Sequence, residues 1–133
     1  MSSDVDMMRL RAINEAIWLR DHWSNLERKE LFRIIEDIGE YNMFSARQIG
    51  GMINNTISRQ IISKLCNKTD KTGGRLEVKD LEKIREIFYG KSNGVLNNSL
   101  IREVLNNGTS QGMLSKLTGI NQSTISKVGN VID

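Results

Sequence analysis

The chain has no proline, one cysteine, one histidine and few aromatic side chains, only 5% of its 133 residues. Proline breaks helices because it lacks the amide donor and clashes with the preceding turn, so its absence fits a mainly helical fold. A lone cysteine, Cys66, can close no internal disulfide and build no zinc cluster, which makes a reducing cytoplasm the expected setting. The N-terminal stretch carries Asp4 and Asp6 and no long apolar run, so neither a signal peptide nor a membrane span is expected. His22 has no second ligand or evident nucleophile to work with. A convincing pair of carboxylates, a glycine-rich phosphate loop, a metal signature and an acyl-transfer motif are all missing. Neither an enzyme nor a bound cofactor is expected, and the six methionines read as core filler.

Charge is present but unevenly spread. The net charge is +3 at pH 7, yet residues 1–40 come to −3, residues 41–76 to +5, residues 77–90 to −1 and residues 91–133 to +2. Both positive blocks contain one phrase: Ile62-Ser63-Lys64-Leu65 in the first and Ile125-Ser126-Lys127-Val128 in the second. A basic block is ordinarily a solvated face and nothing more. Where it coincides with a repeated helical phrase, a surface facing phosphates is the better reading.

Helical spacing organises most of the chain. Leu10, Ile13 and Ile17 place an apolar stripe on a first helix over residues 4–22. Trp18 and Trp23 suit core or dimer contacts better than base stacking. Ser24-Asn25-Leu26-Glu27 has the form of a capping box, opening a helix with Leu31, Ile34, Ile35 and Ile38 on one face and Gly39 placed to end it. Ser45-Ala46-Arg47-Gln48 is a second capping box, ahead of a short helix holding Ile49, Met52 and Ile53. Asn54-Asn55-Thr56 makes a polar turn, and Ser58 is a natural N-cap for a helix over residues 59–66.

A hydrophilic loop runs to Gly74, after which Arg75 to Val78 read as a short strand and residues 80–89 as a helix. Gly90 and Lys91-Ser92-Asn93-Gly94 read as a linker. Beyond it, Leu100, Ile101, Val104 and Leu105 stripe a helix that closes at Asn107-Gly108. Thr109 or Ser110 caps a helix over residues 111–118, Gly119 makes the turn, and Asn121 caps a last helix over residues 122–128. The expected fold is mainly α: two helix-turn-helix units, the first followed by an optional short β wing, joined by a short linker. Residues 1–24 form the N-terminal helix and a candidate dimer contact, 25–90 the first unit with its wing, and 95–133 the second unit.

In the second unit Gln111, Leu114, Ser115, Gly119, Ile120, Ile125 and Val128 stand in a register that packs two helices near a right angle. A small residue, Ser115, sits at the crossing, and Gly119 tolerates the positive φ of the turn. From Gln111 to Val128 the stretch resembles the helix-turn-helix of lambdoid repressors, Cro and LacI-type regulators, with serine at 115 where alanine is commonest. The resemblance implies a second helix lying in the major groove of double-stranded DNA. It implies that Gln122, Ser123, Ser126 and Lys127, behind the Asn121 cap, meet base edges, while Gln111 holds a phosphate. The chemistry agrees: glutamine can bond adenine bidentately, lysine reaches guanine acceptors and serine is adaptable.

The first unit differs slightly. Residues 44–65, followed by Gly74-Arg75-Leu76-Glu77-Val78-Lys79-Asp80-Leu81, resemble the winged helix-turn-helix of MerR and excisionase-type proteins. The resemblance implies that Ser58, Arg59, Gln60, Ser63 and Lys64 face the groove, with Gln48, Lys68, Lys71 and Arg75 along the flanking backbone. Its turn departs from the pattern, having asparagines and no glycine at the usual place.

The expected function is a sequence-specific, double-stranded DNA-binding transcriptional regulator, a repressor of phage or mobile-element type in the first instance. It would act in the cytoplasm as a homodimer, with no membrane partner and no effector that the sequence specifies. The competing readings are an excisionase-like or small-terminase-like DNA-architecture or packaging factor, and a protein-interaction module that reuses the helix-turn-helix.

Overall fold

The computed structural model describes residues 4–67 and 74–130, which contain eight α-helices, two short 3-10 turns and no strand. Helix α1 spans Asp4–His22, the extent expected from its stripe, with Asp4 and Asp6 in its first turn and Arg20 and His22 in its last. That arrangement complements the helix dipole at both ends. Its inner face buries Ala12, Ile13, Ala16, Ile17 and Leu19.

Helix α2 spans Arg28–Glu40 and departs from expectation at each end. The Ser24 capping box does not form, because Trp23–Asn25 coil into a 3-10 turn and Glu27 becomes the N-cap, without a side-chain bond. Gly39 does not end the helix either. It is a buried position where Cys66 comes so close that a Cβ would lie 2.6 Å from its Sγ. The left-handed turn comes later, at Asn42, with φ of 57°.

Helix α3 is Ala46–Met52, and its capping box is complete: Ser45 Oγ accepts from the Gln48 amide at 3.1 Å, and Gln48 Oε1 accepts from the Ser45 amide at 2.9 Å. Helix α4, Arg59–Cys66, is capped by Ser58 and ends on Asn67 in the left-handed region.

The optional wing is not formed in the described residues. A strand needs a neighbour for its ladder, and here the backbone of residues 75–77 is engaged by the second half of the chain. Arg75 O accepts from the Ser110 amide at 2.9 Å, and the Glu77 amide donates to Thr109 Oγ1 at 3.1 Å. Val78–Asp80 then turn as a 3-10 element into α5, Leu81–Ser92. Because α5 runs on through Lys91 and Ser92, most of the expected linker is helix. Only Asn93 to Asn97 separate it from α6, Asn98–Asn107, and the Val95 amide is tied back to Gly90 O at 2.7 Å.

Helices α7, Gln111–Thr118, and α8, Gln122–Gly129, complete the chain, capped by Ser110 and Asn121. Helix α1 packs on α3, α5 and α7, and α5 packs on α6 and α7. Buried side chains from both halves, such as Ile13, Ile49, Ile84 and Leu114, therefore belong to one continuous core. None of the described helices is long and apolar enough to cross a membrane.

Candidate nucleic-acid interface

Two helical corners carry the residues singled out by the sequence. In the second, Gly119 adopts φ of 77° and its amide donates to Ser115 O at 2.8 Å. The Ser115 hydroxyl donates to Ile120 O at 2.6 Å, stitching the crossing point to the far side of the turn. Thr118 Oγ1 donates to Leu114 O at 2.7 Å and accepts from the Ile120 amide at 3.2 Å. The first corner reaches the same end without glycine in the turn. Asn54 and Asn55 both take left-handed φ, 53° and 57°, a region asparagine enters more readily than most residues. The small residue instead stands at the crossing, where a Cβ on Gly50 would lie 3.1 Å from Asn55 Oδ1.

Helices α4 and α8, which follow these corners, share a burial pattern. On α4, Ile62 is buried, Ile61 and Leu65 are half-buried, and Arg59, Gln60 and Lys64 are exposed. On α8, Ile125 and Val128 are buried while Gln122, Ser123 and Lys127 are exposed. Ser63 and Ser126, in the repeated phrase, are half-buried at the edges of these flanks. The caps are exposed too, but Asn121 and Ser123 are joined: Asn121 Oδ1 accepts from both the amide and the hydroxyl of Ser123 at 3.0 Å. Ser126 Oγ accepts from Asn130 Nδ2 at 3.4 Å. Ser123 and Ser126 are thus each bonded to a neighbouring asparagine.

Among the expected backbone contacts, Gln48 is corrected. It is 6% exposed, and its amide is consumed internally, donating to Gly74 O at 2.7 Å and to the Met113 sulfur at 3.3 Å. A side chain that closes a capping box and ties two segments together has nothing left for a phosphate. Arg75 is at the surface and bonds Glu77 Oε1 through Nε at 2.9 Å and Nη2 at 2.6 Å. Gln111 is half-buried in the first turn of α7. Lys68 and Lys71 lie outside the described residues.

Arg47, not singled out from the sequence, projects from the first turn of α3 and is exposed. With Arg75 it borders a cleft of about 300 Å³ that Gly51 and Gly74 also line. Helical spacing was the signal for it: Ile49, Met52 and Ile53 define an apolar face, and Arg47 falls on the opposite side. A second unforeseen group lies under the α7–α8 turn. Asp6 pairs with Arg9 at 2.7 Å and with Lys91 at 3.5 Å, and Arg9 Nε donates to Lys116 O at 3.0 Å. Burial raises the Asp6 carboxyl, but its hydrogen bond to Arg9 and the charges of Lys91 and Arg9 outweigh that and hold it below the ordinary carboxylate range. The cluster braces the corner that aims α8.

No protein-family model, curated protein or solved structure matches the chain. Any functional reading rests on these residues and their placement.

Proposed function

We propose that the protein is a sequence-specific, double-stranded DNA-binding regulator that sets α4 and α8 in the major groove. The observation that supports this most is the matching burial pattern of the two capped helices. Each turns an isoleucine of the repeated phrase into the core and leaves its cationic and amide side chains outside. Arg59 and Lys64 on α4, and Lys127 on α8, suit guanine acceptors or phosphates; Gln60 and Gln122 suit adenine. Arg47 and Arg75 lie at the margin of the first corner, where the sugar-phosphate backbone would run. A repressor is the simplest regulator of this kind, since occupying a site is all it must do.

The test is selection of duplexes from a random library by the full chain, followed by footprinting of the enriched sequence. Enrichment of a defined site, with affinity that falls steeply as salt rises, supports the proposal. No sequence protected above background overturns it.

A further inference from the structure

Resting on the DNA-binding reading above, we infer that one chain is itself a pseudo-dimer, reading two unlike half-sites of a single duplex at a fixed spacing without a second copy. The helix order α1 to α4 recurs as α5 to α8, and the packing recurs with it. The pairs α1–α2, α1–α3, α2–α4 and α3–α4 have their counterparts in α5–α6, α5–α7, α6–α8 and α7–α8. Ser45 and Ser110 cap the third helix of each copy, and the ISK phrase lies in the fourth.

The copies also meet through equivalent parts. Helix α1 packs on α5, its own counterpart. Gln48 and Met113, each the third residue of its helix, touch at 3.3 Å. Contact between like positions is what an interface built around a two-fold axis shows, and the axis here is approximate: α1 also packs on α7, with no comparably large contact between α5 and α3. Here the second repeat takes the place that a partner subunit would fill.

The interval between the reading helices is set by the packing of the repeats on one another. Residues 74–78, ahead of the second repeat, are held from both sides. Gln48 Nε2 and Arg20 Nη1 donate to Gly74 O and Val78 O, each at 2.7 Å, from the first copy. Ser110 N donates to Arg75 O at 2.9 Å, and Thr109 Oγ1 accepts from the Glu77 amide at 3.1 Å, from the second. The reading flanks meanwhile differ: Arg59, Gln60 and Lys64 on one helix, Gln122, Ser123 and Lys127 on the other. A duplex fitted to both has dissimilar halves, the one facing α4 richer in guanine contacts.

The experiment takes the selected duplex and counts the full-length chains bound to it by native mass spectrometry. It then measures affinity after inserting about five base pairs, half a helical turn, between the protected halves. One chain per duplex is expected, and the insertion should weaken binding by roughly 10²-fold or more, because the second contact can no longer be made intramolecularly. Two chains per duplex, or unchanged affinity after the insertion, overturns the pseudo-dimer and leaves DNA binding standing. Failure to select any duplex removes both.

Discussion

Gln48 Nε2 donates to the sulfur of Met113 at 3.3 Å, and the two residues hold the same position in their helices, three places after the capping serine. One glutamine thus serves three structures: its own helix start, the Gly74 carbonyl and the opposite repeat. Gln48→Ala leaves Gly74 O without its donor and opens a gap against Met113. The expected loss is about 1–3 kcal/mol in urea unfolding, the range for a removed cap bond and an orphaned acceptor. An unchanged midpoint would show that the side chain is idle.

Gly39→Ala should destabilise the protein even though alanine is the better helix former by about 1 kcal/mol. The added methyl would meet Cys66 Sγ at 2.6 Å and Cys66 Cβ at 2.9 Å, so α2 and α4 must separate. A net loss of about 1–3 kcal/mol is expected, as for other overpacked sites. In a Cys66→Ala background the same substitution should cost measurably less. A double-mutant cycle by thermal unfolding checks this, and strict additivity would place the strain elsewhere.

Arg59→Ala and Lys127→Ala lie on exposed positions of α4 and α8 and should leave the unfolding midpoint within about 0.5 kcal/mol of the parent. Each should weaken binding to the selected duplex by roughly 1–3 kcal/mol, read by fluorescence anisotropy. Equal affinity of parent and both variants would move the reading surface away from these helices.

Glu15 should set a pH dependence. Burial raises its carboxyl above the ordinary 4.5 and Asp37 adds to this, while the Tyr41 hydroxyl bond and Arg11 oppose it. One of its oxygens, Oε2, is buried without a hydrogen-bond partner. The folded state therefore keeps the proton to higher pH than the unfolded chain does. Its stabilising effect is complete below the unfolded value and is lost as pH rises through the folded one. Glu15→Gln has no charge to acquire, so it should be more stable than the parent above that window and show a flatter stability profile through it. Superimposable profiles from denaturant titrations at several pH values would refute the assignment.

Local chemistry was legible and distant packing was not. Capping is mostly a local matter, so Ser45, Ser58 and Asn121 could be placed from the sequence, as could both ends of α1, and the α7 cap was narrowed to Thr109 or Ser110; the Ser24 box gave way to the 3-10 turn over Trp23–Asn25. The outward flanks of α4 and α8 followed from the spacing of Ile62 and Ile125. Gly39 misled because a glycine near a helix end can either stop the helix or admit a neighbour, and α4 decides which. The use of Gln48 depended on Met113, 65 positions away. The wing failed for the same reason, since residues 74–77 bond to Gln48, Thr109 and Ser110, where no spacing rule reaches; the linker failed because α5 runs on through Lys91, whose ammonium pairs with Asp6.

The tandem arrangement has an evolutionary consequence. In a symmetric dimer, one codon change alters both ends of the bound site together, so a new sequence must be matched twice. If this chain reads DNA as proposed, the outward side chains of α4 and α8 are written in separate codons, and one end of a target can drift while the other keeps its grip.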